Sequence, residues 1–215
     1  MRIKILYYLG WSLTRLLTSV LFRIRVTGRD NLPARGGFIL ASNHVSYYDP
    51  LVAGSWLNRE VYFLAKKELF KNWLFGRILR RVNAIPLRRG SIDRHALAAA
   101  LEVIRSDFGL VLFPEGTRSR TGRFLEPKVG IGKIALETEV PIVPCYLHGT
   151  DRLLDCFLGR KRMSVTLGTP LLPSEAADGK SGKENFRAVA QSVMVRIGEI
   201  RRRVTGLKGS DKSVD

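Results

Sequence analysis

Two spacings of hydrophobic residues alternate along the 215-residue chain. Gly37–Ser42, Val61–Ala65, Asn83–Leu87, Leu110–Pro114, Val140–Leu147 and Met163–Gly168 are short, apolar and partly β-branched, as buried strands are. Between them, Leu51–Leu57, Glu68–Arg80, Ile92–Arg105 and Gly130–Glu137 have helical spacing or composition, with Ser91 placed to cap Ile92–Arg105. In the last long segment Phe186, Val189, Val193, Ile197, Ile200 and Val204 form a stripe that docks on the domain and leaves Arg187, Arg196, Arg201, Arg202 and Arg203 in solvent. Strands separated by helices predict an α/β layered domain with a mixed, partly parallel sheet flanked by helices. Arg23–Arg35 reads as a polar bridge and Pro173–Lys183 as a surface connection. The resulting division is an N-terminal helix over 1–22, a single domain over 23–204 and a disordered tail over 205–215, with no internal repeat.

The N-terminal segment carries a different pattern. At about 100° per residue, Leu6, Leu9, Leu13, Leu16, Leu17, Val20 and Leu21 share one face, and Lys4, Ser12, Thr14, Arg15, Thr18 and Ser19 share the other. The uncharged stretches Ile5–Thr14 and Leu16–Phe22 are too short to cross a bilayer. Placing Arg15 in hydrocarbon would cost at least roughly 2.5 kcal/mol. No small-residue cleavage site follows, which argues against a secretory signal. An amphipathic, membrane-associating helix lying in the interface fits the pattern, with Tyr8 and Trp11 on the polar side at headgroup level. The alternative is a helix that packs on the domain.

Charge changes the picture more than composition does. With 36 Lys and Arg against 19 Asp and Glu, the net charge is +17, a surface that attracts nucleic acid, anionic lipid or an acidic protein. The two cysteines, Cys145 and Cys156, fit neither a disulfide framework nor a zinc cluster, and suit a reducing compartment.

The candidate chemistry sits after the apolar runs. Ser42-Asn43-His44-Val45-Ser46-Tyr47-Tyr48-Asp49-Pro50 follows the first of them, where α/β folds place their ligands. An Asp that accepts from His Nδ1–H fixes the tautomer and leaves Nε2 free to take a proton from a hydroxyl. No nucleophilic side chain is needed if the acceptor's own hydroxyl attacks an activated ester. Alone, His-x4-Asp is a weak signal. Phe113-Pro114-Glu115-Gly116-Thr117-Arg118-Ser119 follows another run and offers a guanidinium, hydroxyls and main-chain N–H groups to one anion, with Arg120, Arg123 and Lys128 adding positive charge. Ile85-Pro86-Leu87-Arg88-Arg89-Gly90 ends a strand in two arginines. Val140-Pro141-Ile142-Val143-Pro144 carries two prolines, which suit a sheet edge or wall better than a central position.

In this order and spacing the four blocks resemble the glycerolipid acyltransferases, the family typified by 1-acylglycerol-3-phosphate acyltransferase, over roughly residues 25–170. NHVSYYD and FPEGTRS are its specific blocks. The resemblance implies that His44 and Asp49 are the catalytic dyad, and that Glu115, Gly116, Thr117 and Arg118, with Ser119 beside them, bind the acceptor's glycerol phosphate. Arg89, with Arg88 a close second, serves the phosphate. Lys128 matches a basic residue after the third block, and Pro141 the proline of the fourth. No cofactor or metal is implied. The mechanism the resemblance implies has His44 deprotonate the sn-2 hydroxyl of lysophosphatidic acid, the alkoxide attack the thioester of acyl-CoA or acyl carrier protein, and the imidazolium protonate the departing thiolate. The implied partners are a phospholipid bilayer, a lysophospholipid acceptor and the acyl donor. The implied place is the cytoplasmic face of the inner membrane, peripheral or monotopic. Two departures stand out: Asn83 and Pro86 replace the glycine and aromatic common in the second block, and one amphipathic segment replaces a longer N-terminal anchor. Other lysophospholipids, lyso-ornithine lipid and glycerol 3-phosphate are the alternative acceptors.

Rival readings fit less well. The arginines are scattered, with no aromatic–basic module or zinc finger of a specific nucleic-acid binder. Gly130-Ile131-Gly132-Lys133-Ile134-Ala135 nominally fits a dinucleotide-binding turn, but Phe124–Lys128 before it contains Pro127 and is no convincing strand. Three histidines (His44, His95, His148) without clustered carboxylates speak against a metal. A basic lipid-binding module without catalysis would need the His–Asp pair to be accidental.

Overall fold

The computed structural model describes residues 5–88, 93–177 and 182–206. Seven strands, β1 (Arg25–Thr27), β2 (Phe38–Ser42), β3 (Val61–Lys66), β4 (Ala84–Leu87), β5 (Gly109–Leu112), β6 (Ile142–His148) and β7 (Ser164–Leu167), form one sheet in the order β1-β7-β6-β2-β5-β3-β4. Every neighbouring pair is parallel except β6 with β7. The sheet is therefore mixed and mostly parallel, and β2 to β6 share one C-terminal edge. The helices are α1 (Ile5–Phe22), α2 (Asp49–Ser55), α3 (Trp73–Arg81), α4 (Arg94–Arg105), α5 (Gly130–Thr138), α6 (Leu153–Phe157), α7 (Pro173–Ala176) and α8 (Gly182–Thr205).

The continuous apolar run of β2 has its reason here. Ile39 and Ala41 enter a core shared with α4, α5 and α8, while Phe38 and Leu40 enter a second core shared with α2 and Trp56 on the opposite face. Phe38, Ile39, Leu40 and Ala41 are fully buried, as a strand covered on both sides requires. Gly132 sits where a Cβ would come within 2.0 Å of the Phe186 carbonyl oxygen, so the small residues of Gly130–Ala135 serve close packing of α5 on α8.

Several boundaries differ from those read in the sequence. The polar bridge contains β1 and a 3-10 turn at Arg29–Asn31, whose pairing with β7 no local pattern announces. Glu68–Arg80 is not one helix: a 3-10 turn spans Lys67–Phe70, and α3 starts at Trp73, where the Asn72 side chain accepts from the Phe75 N–H at 3.0 Å. Helix α4 is capped by Asp93 rather than Ser91, its carboxylate accepting from His95 and Ala96 N–H. The N–H groups of Arg88, Ala96 and His95 hold the Asp93 carboxyl below its ordinary range. Ser91 and Arg89 lie outside the described residues. The Pro173–Lys183 connection contains α7 and the start of α8, which runs one residue into the predicted tail.

The proline-bearing strand β6 lies in the middle of the sheet, against the expectation of an edge. Pro141 precedes the strand and serves only as acceptor, from the Ile39 N–H at 3.0 Å. Ile142 pairs with Leu171 and Cys145 with Leu167, so the partner carries one extra residue opposite Pro144. The missing N–H of Pro144 falls at this bulge, where its carbonyl still accepts from the Gly168 N–H at 2.8 Å.

Helix α1 packs on the domain by its polar side. Thr18 is buried and its Oγ1 accepts from Trp56 Nε1 at 3.0 Å, and the Tyr7 hydroxyl accepts from the Val61 N–H at 3.0 Å. Burial pushes the Tyr7 phenol up to about 12. Arg15 lies between the Trp11 and Trp56 rings at 4.8 and 5.0 Å, which puts Trp11 on the domain side. Leu9, Leu13, Leu16, Leu17, Val20 and Leu21 point outward and are exposed. Among the described residues no helix is long and apolar enough to cross a membrane.

Candidate active site

The site forms on the C-terminal edge of the sheet, where the segments after β2 and β5 meet. Asn43 leaves β2 with both ends of its amide spent on Leu147 of β6, its Nδ2 donating to the carbonyl at 3.0 Å and its Oδ1 accepting from the N–H at 2.8 Å. The loop from His44 to Asp49 then closes on one carboxylate oxygen. Asp49 Oδ2 accepts from the N–H groups of Val45 and Ser46, both at 2.7 Å, and lies 2.8 Å from His44 Nδ1. That oxygen acts as acceptor toward the imidazole too, so Nδ1 carries the proton and Nε2 keeps its lone pair. Asp49 is fully buried at the start of α2, where the positive end of the helix favours a carboxylate. His44 is 9% exposed, enough to present an edge to a substrate.

The segment after β5 holds His44 from the other side. Glu115 Oε1 accepts from the His44 N–H at 3.1 Å and Oε2 from the Leu125 N–H at 2.9 Å, while the Ser119 N–H donates to the His44 carbonyl at 2.8 Å. The two motifs, 71 residues apart in sequence for His44 and Glu115, are thus one hydrogen-bonded unit. Phe113 stacks on the imidazole at 4.1 Å between centroids. Glu115 is 1% exposed, and burial raises its carboxyl above the ordinary value against the lowering effect of the Leu125 and His44 N–H groups. Its two oxygens are occupied by main chain, which makes it a brace between loops and removes it from direct contact with a ligand.

Gly116 turns with φ of +68°, and the Lys128 side chain covers the place a Cβ would take. Thr117 is exposed, Arg118 half-buried and Ser119 buried. The Arg118 guanidinium lies 3.3 Å above the centre of the Tyr47 ring, which joins the two loops again at the surface. Lys128 donates its N–H to the Pro114 carbonyl at 2.8 Å and keeps its side chain exposed. His44, Asp49, Gly116, Thr117, Arg118, Ser119 and Lys128 therefore gather at one place. Arg88 stands apart from them: it directly follows β4, three strands from β2 and two from β5 in the sheet order. Asn43, Tyr47 and Phe113 belong to the site through their contacts, although only their place inside the two blocks pointed to them. Among the described residues, buried Asp49 Oδ1 and Ser119 Oγ have no hydrogen-bond partner.

A histidine whose Nε2 is open, held by an aspartate and set beside an arginine, can accept a proton from a hydroxyl on an anionic molecule. Residues 23–148 match the model of the Acyltransferase family, and the chain belongs to that family. It is an acyltransferase of the glycerolipid kind. A 1-acyl-sn-glycerol-3-phosphate acyltransferase of Borreliella burgdorferi is 35% identical over 177 residues, covering 81% of this chain and 71% of the relative. One from Bacillus subtilis is 27% identical over 194 residues, 90% of this chain and 96% of the relative. The crystal structure of the 1-acyl-sn-glycerophosphate (LPA) acyltransferase PlsC from Thermotoga maritima superposes with a TM-score of 0.73 at 26% identity, covering 98% of this chain and 86% of that one.

Proposed function

We propose that the chain moves a fatty acyl group from acyl-CoA or acyl carrier protein to the sn-2 hydroxyl of 1-acylglycerol 3-phosphate, giving phosphatidic acid. The observation that carries this reading is the 2.8 Å contact of His44 Nδ1 with Asp49 Oδ2, which leaves Nε2 to face the acceptor beside Arg118. The names of the relatives favour this acceptor over other lyso-lipids.

His44 Nε2 takes the hydroxyl proton as the acceptor oxygen bonds to the thioester carbon. Collapse of the tetrahedral adduct breaks the carbon–sulfur bond, and the imidazolium returns its proton to the departing thiolate. Asp49 keeps the proton on Nδ1 and stabilises the imidazolium. Arg118 and Lys128, with the Thr117 hydroxyl, hold the acceptor phosphate, and such positioning is worth several kcal/mol. Arg88 acts from the end of the edge strand β4, on the far side of a ligand long enough to span the strands, and Arg89 serves the same phosphate. Glu115 works by holding the His44 main chain.

Residues 1–22 lie in the interface of the inner membrane on its cytoplasmic face, where the acyl donors are, and 23–204 form the catalytic domain. The outward apolar face of α1 supports this placement. The test is thiol release from oleoyl-CoA in the presence of lysophosphatidic acid. Acceptor-dependent release that vanishes in His44→Ala is expected. Failure to release thiol from either donor with lysophosphatidic acid or any other lyso-lipid overturns the reading.

A further inference from the structure

Helix α3 is an element whose side chains find almost no place in either core. Of its nine residues only Gly76 is buried, against the Phe70 main chain. Trp73 is 74% exposed, and Leu74, Phe75 and Ile78 are exposed with it, as is Leu69 in the turn before. A helix this short gains little from its own hydrogen bonds and relies on a surface to lie against. At about 100° per residue Leu74, Phe75 and Ile78 fall within one sector, Arg77 and Arg80 project to the other side with Trp73, and Arg81 borders the apolar sector next to Leu74.

The charge around the ridge points the same way. Residues 66–81 hold six cations, Lys66, Lys67, Lys71, Arg77, Arg80 and Arg81, against Glu68 as their one acid. Lys66 reaches Glu68 only at 3.9 Å between exposed groups, which offsets little of that charge. The segment leaves β3 on the edge of the sheet that carries His44 and returns to the start of the parallel strand β4, so its first turn stands beside that edge, whereas α1 covers the face of α2.

We infer that α3, with the turn before it, is a second membrane-contact element, its Leu74–Phe75–Ile78 side entering an anionic bilayer while the surrounding lysines and arginines meet the headgroups. An apolar ridge edged with cations is what an anionic interface selects. A second copy of the chain is a poorer occupant, because a symmetric contact would set the same cations against each other. The inference rests on the lipid-acceptor reading only in that the bilayer supplies the acceptor. With α1 over α2 and α3 in the crossover from β3 to β4, the domain meets the surface through two separate elements.

The test uses the full chain. Its two cysteines are both buried, so a cysteine introduced as Leu74→Cys takes an environment-sensitive fluorophore selectively. Addition of phosphatidylcholine vesicles containing phosphatidylglycerol is expected to shift that emission to the blue and expose it to quenching by acyl-brominated lipid. A label at Glu137→Cys, near the opposite end of the sheet, is expected to stay unchanged. Leu74→Ser with Ile78→Ser is expected to lower the vesicle-bound fraction about tenfold, with transfer to a short-chain, water-soluble acceptor unchanged. A Leu74 label that stays polar while the protein sediments with vesicles overturns the inference, as does a double variant that sediments like the wild type. A blue shift that grows with protein concentration without vesicles also overturns it and assigns the ridge to self-association. None of the three overturning results requires turnover, so failure here and failure of the acyl-transfer reading are separate results.

Discussion

The loop from Asn43 to Asp49 and helix α1 depart from the usual distribution of side chains in opposite directions. The loop buries Asn43, His44, Ser46 and Asp49, while α1 leaves Leu9, Leu13, Leu16, Leu17, Val20 and Leu21 in contact with solvent. Most of these buried polar groups are met by main-chain and side-chain partners: Asp49 Oδ2 takes three hydrogen bonds, and the N–H and carbonyl of His44 are both used by the segment after β5. Among the described residues nothing covers the apolar face of α1. Polar groups inside a protein must be satisfied by the fold, whereas an apolar face left outside looks to a partner beyond it.

The comparison breaks most visibly if the loop can lose a member without consequence. Asp49→Asn and His44→Ala are each expected to lower kcat by about 10³-fold or more, read by thiol release, and a residual rate within tenfold of wild type would remove the dyad from the mechanism. Next in size is the brace. Glu115→Ala strips the acceptor from two N–H groups in the buried loop, and a loss of roughly 2–4 kcal/mol in urea unfolding is expected, accompanied by a lower kcat. Because burial raises the Glu115 carboxyl, the folded state binds its proton more tightly than the unfolded chain does. Stability therefore falls as pH rises from the ordinary glutamate value through the raised one, and Glu115→Gln is expected to flatten that slope.

On the α1 side the two faces separate binding from stability. Replacing Leu9, Leu13 and Leu16 with serine is expected to reduce binding to anionic vesicles about tenfold or more while leaving unfolding unchanged within ~0.5 kcal/mol. Thr18→Val does the reverse: it leaves Trp56 Nε1 buried without an acceptor, costs about 1–2 kcal/mol, and leaves vesicle binding as it was. If the serine variant unfolds earlier and still binds, the helix is a packing element and its apolar face has another use. The smallest effect sharpens the picture of the loop's outer end. Tyr47→Ala removes the ring beneath Arg118 and is expected to raise the acceptor KM about two- to fivefold at unchanged kcat, with Tyr47→Phe close to wild type.

The alternation of apolar runs and helical segments was legible in the sequence, because a parallel strand covered on both faces is apolar throughout. The run Gly37–Ser42 became β2 at the centre of the sheet for that reason. Strands that depend on a distant partner were not legible. Arg25–Thr27 has no pattern of its own and is a strand only because β7 lies beside it. Pro144 argued for an edge because local chemistry forbids it a ladder bond, and only the bulge in the partner shows how a central strand accommodates it. In the site, the His-x4-Asp spacing already allowed both side chains to meet within one loop. The role of Glu115 was hidden, since its two partners, the His44 and Leu125 N–H groups, carry no side-chain signature.

By itself the sequence determined the fold class, the two motif blocks at strand ends and the two-sided character of α1, all consequences of spacing along the chain. Only the tertiary structure decided which side of α1 faces the domain, that the segments after β2 and β5 close on His44 together, and that Arg88 stands strands away from it. Periodicity records which residues share a face, but not what that face meets. That choice is made by contacts between residues far apart in the chain, where Trp56 offers a donor to Thr18 and Glu115 offers an acceptor to His44.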